Sequence, residues 1–235
     1  MNEFILKLTN KAIEKQGIDR NEARELYGDG GIRLSDILWG ADKIRRHFKG
    51  NAVELCSIIN AKSGSCSEDC KFCAQSSRHR TDIKRYPLLS ADEIFEAAKE
   101  ARKNRAACFG IVTSGKGITS EDELRVICAA ARKIKAGIPG LKVSASIGVV
   151  SKERLLALKD AGLDIFHHNL ETSERYFPDI CTTHSYKERI DTILSAQSAG
   201  LKLCSGGIFG LGEGPSDRID LAFTIKELGI KSVPP

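Results

Sequence analysis

No apolar run in these 235 residues is long enough to cross a bilayer, which takes about 20 predominantly apolar positions in succession. The opening Met1-Asn2-Glu3-Phe4 lacks the charged stretch and apolar core of a secretory signal, so a cytoplasmic protein is expected. Aromatic residues are scarce, at 6%, and none punctuates a basic stripe. Lys and Arg outnumber Asp and Glu by 36 to 31, but the two signs are interleaved. The one dense basic cluster, from Lys43 to Lys49, reads as the solvated face of a helix. Neither nucleic acid nor membrane is therefore indicated as a partner. Low-complexity tracts, long linkers and hairpin signals are missing as well.

What remains is an ordinary globular balance, 41% hydrophobic and 29% charged, with ample material for a core. Eight cysteines without a leader point to a reducing compartment and to metal or redox chemistry in place of disulfides.

The first 50 residues read as short polar helices over 3–16, 20–27, 34–39 and 41–48. From there strands alternate with helices. The strands are expected at 53–60, 107–112, 142–147, 163–170 and 201–209, with a sixth beginning at Lys231. Three of the helices open with Ser followed three residues later by Glu: Ser90 and Glu93, Ser120 and Glu123, Ser185 and Glu188. Such a pair satisfies free amides at a helix start. Leu124, Ile127, Cys128, Ala131 and Ile134 fall on one helical stripe, the spacing of a core-facing helix. Alternation of this kind implies right-handed β-α-β units and a parallel sheet.

Cys66, Cys70 and Cys73 stand in C-x3-C-x2-C spacing on one short segment. Three thiolates are one fewer than a closed structural metal site needs, and a cubane held by three keeps one iron open to a small molecule. Read without its flanks, the triplet also suits zinc, with His79 as fourth ligand. Cys128 reads as a small apolar residue on its helix stripe. Cys181 reads as a buried, inert thiol. Cys56 and Cys108 suit packing and metal ligation about equally.

The triplet and the run from Cys56 to Gly64 that leads into it resemble the biotin synthase family of radical S-adenosylmethionine (SAM) enzymes. So do the Asn169-Leu170-Glu171-Thr172-Ser173 stretch, Thr182-Thr183, the Tyr186-Lys187-Glu188-Arg189 stretch and the Cys204-Ser205-Gly206-Gly207 stretch. The triplet is common to the superfamily, while the Asn-Leu-Glu-Thr-Ser and Cys-Ser-Gly-Gly stretches are far more specific. The resemblance implies an α/β fold, a radical SAM TIM-type (β/α) barrel with an N-terminal helical extension over 1–50 and the barrel over 51–235. A closed barrel needs eight strands, so one of about five and a half units is expected to be incomplete, and inactive in this form.

By resemblance, Cys66, Cys70 and Cys73 hold a [4Fe–4S] cluster, and SAM chelates its open iron and is cleaved to a 5′-deoxyadenosyl radical. Phe72 packs beside the adenine, Asn169 contacts SAM, Glu171 the ribose hydroxyls and Arg189 the methionine carboxylate. Gly206 and Gly207 let the backbone approach SAM closely. The substrate implied is dethiobiotin, which gains sulfur from an auxiliary cluster to become biotin. The resemblance also implies a one-electron donor such as flavodoxin or ferredoxin, and a homodimer, although no residue argues for the latter. The auxiliary site departs from the family pattern. Cys204 matches its third cysteine, but Ser144 stands at the second position and Gly110 at the first. A variant auxiliary cluster on Cys204, Cys108 and Cys56 is expected, all three facing inward. Two rivals stand beside this reading: another radical SAM enzyme of the subfamily with a different substrate, and a non-catalytic metal-binding fragment. Without their flanks, Asn169 and Glu171 also suit satisfied core polar residues, and the glycines mere turn chemistry.

Overall fold

Alternation of strands and helices appears in the computed structural model, which describes residues 2–28, 31–118 and 120–234. The termini at Met1 and Pro235 lie outside the described residues. Three helices come first: α1 (Glu3–Ile13), α2 (Arg20–Tyr27) and α3 (Leu34–Lys49). Then follow β1 (Cys56–Lys62), α4 (Ala91–Lys103), β2 (Cys108–Thr113), α5 (Glu121–Gly137), β3 (Lys142–Ser146), α6 (Lys152–Asp160) and β4 (Ile165–His167). The series ends with α7 (Phe177–Ile180), α8 (Tyr186–Ser198), β5 (Lys202–Cys204) and α9 (Pro215–Glu227). Among the described residues the strands form one five-stranded sheet in sequential order, parallel at every pairing. A parallel bridge from Cys204 to Ser232 adds the beginning of a sixth strand.

The helix-facing side of the sheet carries the core. Phe109, Ile111, Val143, Ala145 and Phe166 pack against Ile94 of α4, Ile127 and Ile134 of α5, and Leu155 and Leu158 of α6. Fully burying each of the large side chains is worth about 1.5–3 kcal/mol, so this layer is a large stabilising term. A second cluster joins Leu170, Phe177, Ile180, Ile193 and Leu221 and supports the loops beyond β4. The predicted stripe on α5 is buried throughout.

Several expectations need correction. The helices read at 34–39 and 41–48 are one helix, α3, because Gly40 does not break it. Gly40 marks a close crossing with α1, where an added Cβ would stand 2.6 Å from Thr9 Oγ1. β1 begins later than expected, and β4 and β5 are three residues each. The chain leaves regular geometry after His167, and Glu171 takes φ +69°. Complete capping boxes form at Ser90 and Ser185, but not at Ser120, whose side chain accepts from Asp122 N instead. Glu123 is drawn away to Lys62 Nζ at 2.6 Å. A complete box that the sequence reading missed opens α2, between Asp19 and Glu22. Arg20, the first residue of α2, ties that helix to α9 by ion pairs to Asp220 and Glu227 and by lying 4.6 Å over the Phe223 ring.

Candidate functional site

The triplet loop leaves the C-terminal end of β1 through two successive left-handed residues, Gly64 at φ +77° and Ser65 at φ +55°. Its backbone is tied at both ends: Cys66 N donates to Gln75 O at 3.1 Å, and Ser77 N to Cys66 O at 2.8 Å. Ser114, just past β2, donates to Gly64 O at 2.7 Å. The loop thereby sets Cys66, Cys70 and Cys73 around a cavity of about 220 Å³, with Phe72 on its wall.

The spacing of those sulfurs decides what they can hold. Ligand atoms on one tetrahedral ion stand only about 3.5–4 Å apart, as Zn–S bonds near 2.3 Å require. Cys66, Cys70 and Cys73 do not all come within 4.8 Å of one another; among the described residues only Cys70, Cys181 and His184 do. A cubane places each thiolate on a different iron and needs the wider spread, so this all-sulfur donor set fits a [4Fe–4S] cluster. The zinc reading with His79 is corrected. His79 Nδ1 lies 3.1 Å from Cys73 O, a backbone contact, and the imidazole that reaches a thiol is His184.

A clasp fastens this loop to the segment after α7. Asp69 accepts from Thr182 N at 2.9 Å, from Thr183 N at 3.2 Å, from both threonine hydroxyls and from the Cys181 thiol at 3.3 Å. The Thr182 contacts, above all, hold its carboxyl far below the usual carboxylate range. Glu68 shares the single Thr183 hydroxyl proton with Asp69, its Oε2 lying 2.8 Å from Thr183 Oγ1 and 2.6 Å from His184 Nδ1. Burial pushes the Glu68 carboxyl up, yet the bonds from Thr183, His184 and Ser67 outweigh it and leave it lowered.

The opposite wall comes from beyond β4. His168 is buried with Nε2 unpartnered, and burial followed by the Arg189 charge lowers it to about 3, a neutral ring. Glu171 is buried too, with Oε2 unpartnered, and burial raises its carboxyl despite Arg189 at 3.6 Å. Buried polar atoms of this kind normally have partners, so two orphans on one cavity mark it as a place for a polar ligand. Arg189, in the first turn of α8, donates to Asn169 O at 2.7 Å and to His184 Nε2 at 3.1 Å. Asn169 and Glu171 share the cavity, but not as alternate residues of one strand, since β4 ends before them. The Asn169 side chain accepts from Gly206 N at 3.0 Å and so pins the end of β4 to the chain after β5.

Gly206 and Gly207 do not line this cavity. A Cβ on Gly207 would stand 2.4 Å from Glu171 O, and one on Gly206 2.9 Å from Pro234, so both glycines serve backbone packing here. The register sets Cys56 beside Cys108 and Gly110 beside Ser144, on the sheet face away from the helices. Cys204 lies on the same face of β5, next to His167. Burial pushes the Cys204 thiol up, but bonds with His167 and with Ser232 Oγ, at 3.3 Å, leave it lowered. Cys108 Sγ reaches Ser144 Oγ at 3.7 Å.

Sequence reading missed the partners of Cys181. That thiol is buried 3.7 Å from Cys70 Sγ and 3.3 Å from His184 Nδ1. The Cys181-x-x-His184 spacing was the available signal.

A parallel β/α sheet that presents three thiols at its C-terminal edge defines the class, and the chain belongs to the radical SAM superfamily, whose model matches residues 62–225. Among curated proteins, the biotin synthase of Geotalea uraniireducens is 46% identical over 234 residues, covering all of this chain and 71% of that protein. The biotin synthase of Clostridium perfringens is 47% identical, over 99% of this chain and 71% of its own. Identity at this level along the whole chain places it in the biotin synthase family. Among solved structures, methylornithine synthase shares the fold with a TM-score of 0.84 at 22% identity, over 96% of this chain and 66% of that one. HydG, a maturase of the [FeFe]-hydrogenase, gives 0.78 at 17% identity, over 99% of this chain and 54% of its own. The chain thus spans about two thirds and about half of those solved chains. No helix among the described residues is long and apolar enough to cross a membrane.

Proposed function

We propose that the chain carries the SAM-dependent radical chemistry of biotin synthase, the insertion of sulfur into dethiobiotin to form biotin. The observation that carries this is the triplet itself, three thiols too widely spread for one ion, facing a cavity with buried unpartnered polar atoms, in a chain close to biotin synthases from end to end. Cys66, Cys70 and Cys73 would hold the [4Fe–4S] cluster, which when bound supplies the electron that cleaves SAM. Arg189 is placed to bind the carboxylate of SAM, which would take it off His184. Glu171 would take ribose hydroxyls on its free oxygen, and Phe72 would cover the adenine. Asn169 would touch SAM from the same wall, while Gly206 and Gly207 would act by holding that wall in place.

For the auxiliary cluster we propose Cys204, Cys108 and Cys56 as ligands, supported by their common sheet face. Replacing Cys204 by Ala should lower the iron and sulfide content of the reconstituted protein, and unchanged content would remove the assignment. The reading also carries a flavodoxin- or ferredoxin-type donor, a homodimer, a cytoplasmic location and the division into a 1–50 extension and a barrel from 51.

The test uses the product of the complete reading frame, prepared anaerobically with iron and sulfide. Given SAM, a strong reductant and dethiobiotin, it should release 5′-deoxyadenosine and biotin. No 5′-deoxyadenosine ends the radical SAM reading; 5′-deoxyadenosine without biotin assigns a different substrate.

A further inference from the structure

Cys181 and His184 have no part in the reading above, yet they stand against one of its three thiols. Cys70 Sγ and Cys181 Sγ are 3.7 Å apart, and Cys181 Sγ is 3.3 Å from His184 Nδ1. All three residues are buried, and their ligand atoms lie within 4.8 Å of one another. Two thiolates on one tetrahedral zinc ion stand about 3.8 Å apart, and a thiolate and an imidazole nitrogen about 3.5 Å, from bonds near 2.3 and 2.0 Å. Two of the three pairs already have the spacing of a single ion's ligands.

We propose that Cys70, Cys181 and His184 form a mononuclear zinc site that exists only while Cys70 carries no cluster iron. Solvent fills the fourth position, since Glu68 is not among the residues whose ligand atoms lie within 4.8 Å of one another. Glu68 Oε2 is 2.6 Å from His184 Nδ1, across a hydrogen bond that gives way when the ion takes that nitrogen. Both thiols release their protons to solvent as they bind, and the imidazole keeps one proton by moving it to Nε2. Arg189 Nε, now 3.1 Å from that nitrogen, must then leave it, while Nη1 can stay on Asn169 O. Two thiolates, a neutral imidazole, a water molecule and one Zn²⁺ sum to zero, so the buried site carries no net charge.

The consequence is exclusion. One sulfur cannot serve both the ion and the cubane, so zinc occupies the chain in a form that refuses the cluster. This mutual exclusion, unlike the zinc site itself, rests on the assignment of Cys70 to the cluster.

The experiment titrates reduced, metal-free protein with Co²⁺ as a visible stand-in for Zn²⁺. One equivalent should give sulfur-to-cobalt charge transfer and the strong d–d bands of a tetrahedral site, both erased by Zn²⁺. Cys181→Ala and His184→Ala should weaken binding by more than about tenfold, the scale already seen when only an outer-shell partner of a ligand is lost, and Cys66→Ala should leave it unchanged. Cys181→Ser, with circular dichroism of every variant, separates lost ligation from lost folding. Equal binding by Cys181→Ala, or equal loss in Cys66→Ala, would overturn the proposal. Zinc-loaded wild type should resist cluster assembly from iron and sulfide until chelated, and Cys181→Ala should assemble it despite zinc. If no variant ever assembles a cluster, the cluster assignment falls while the cobalt spectra still decide the zinc site.

Discussion

Consider the loss of the Asp69 side chain. Its carboxylate gathers two backbone amides, two hydroxyls and a thiol from residues 181–183, and its own amide donates to Thr183 Oγ1 at 3.2 Å. Hydrogen bonds to a charged acceptor are worth about 1.5–3 kcal/mol each, but these share one half-buried carboxylate and cannot simply be added. Asp69→Ala should therefore cost about 2–4 kcal/mol. For a protein of this size each kcal/mol moves the melting temperature by about 2–4 °C, so a fall of roughly 4–16 °C is expected. Asp69→Asn keeps one acceptor oxygen and should lose about half as much. Thermal unfolding followed by circular dichroism on metal-free protein gives the stability. The rate at which a chelator strips iron from the reconstituted protein reports on the loop itself, and it should rise in the order wild type, Asn, Ala. A melting temperature within a degree of wild type for the Ala variant, with an unchanged stripping rate, would refute the clasp.

Gly40→Ala forces a methyl to 2.6 Å from Thr9 Oγ1 and should destabilise by about 1–3 kcal/mol despite the better helix propensity of Ala, with Thr9→Ala restoring most of the loss in a urea titration. Glu22 is held at about 2, against an ordinary 4.5, chiefly by the Lys11 ammonium at 2.6 Å and by Asp19 N. The folded state thus binds this proton less readily than the unfolded one. Its stabilisation is full above pH 4.5, erodes as pH falls and is gone below about 2. Glu22→Gln should accordingly narrow the difference in urea midpoint between pH 6 and pH 3, and an identical difference would remove the claim. Glu171→Ala should weaken SAM binding by the reconstituted protein while leaving cluster absorbance intact.

Much of the architecture was written in local pattern. The periodicity of α5 and the Ser90 and Ser185 boxes are short-range signals, and they appear as read. Gly40 misled because helix propensity speaks only of the helix itself, whereas its conformation is decided by Thr9 on another helix. Glu123 failed as a capping partner for the same reason: Lys62, distant in sequence, competes for it. The ends of β4 and β5 were over-extended because apolar and polar alternation continues through Leu170, though the backbone bonds past His167 are irregular. At the site, the triplet and Arg189 were legible from spacing and from the resemblance. The neighbours of Cys181 were not, because a contact between residues 111 apart is a product of folding.

The left-handed backbone of Glu171 has an outcome for natural variation. An L residue with a side chain gives up about 1–2 kcal/mol to sit there, and only Gly is spared. A Glu171→Gly lesion would relax the main chain and delete a buried acid at one stroke. Such a polypeptide would pass cellular folding surveillance at least as well as its parent while lacking a group that faces the cavity. Screens that rank variants by abundance would score it as benign.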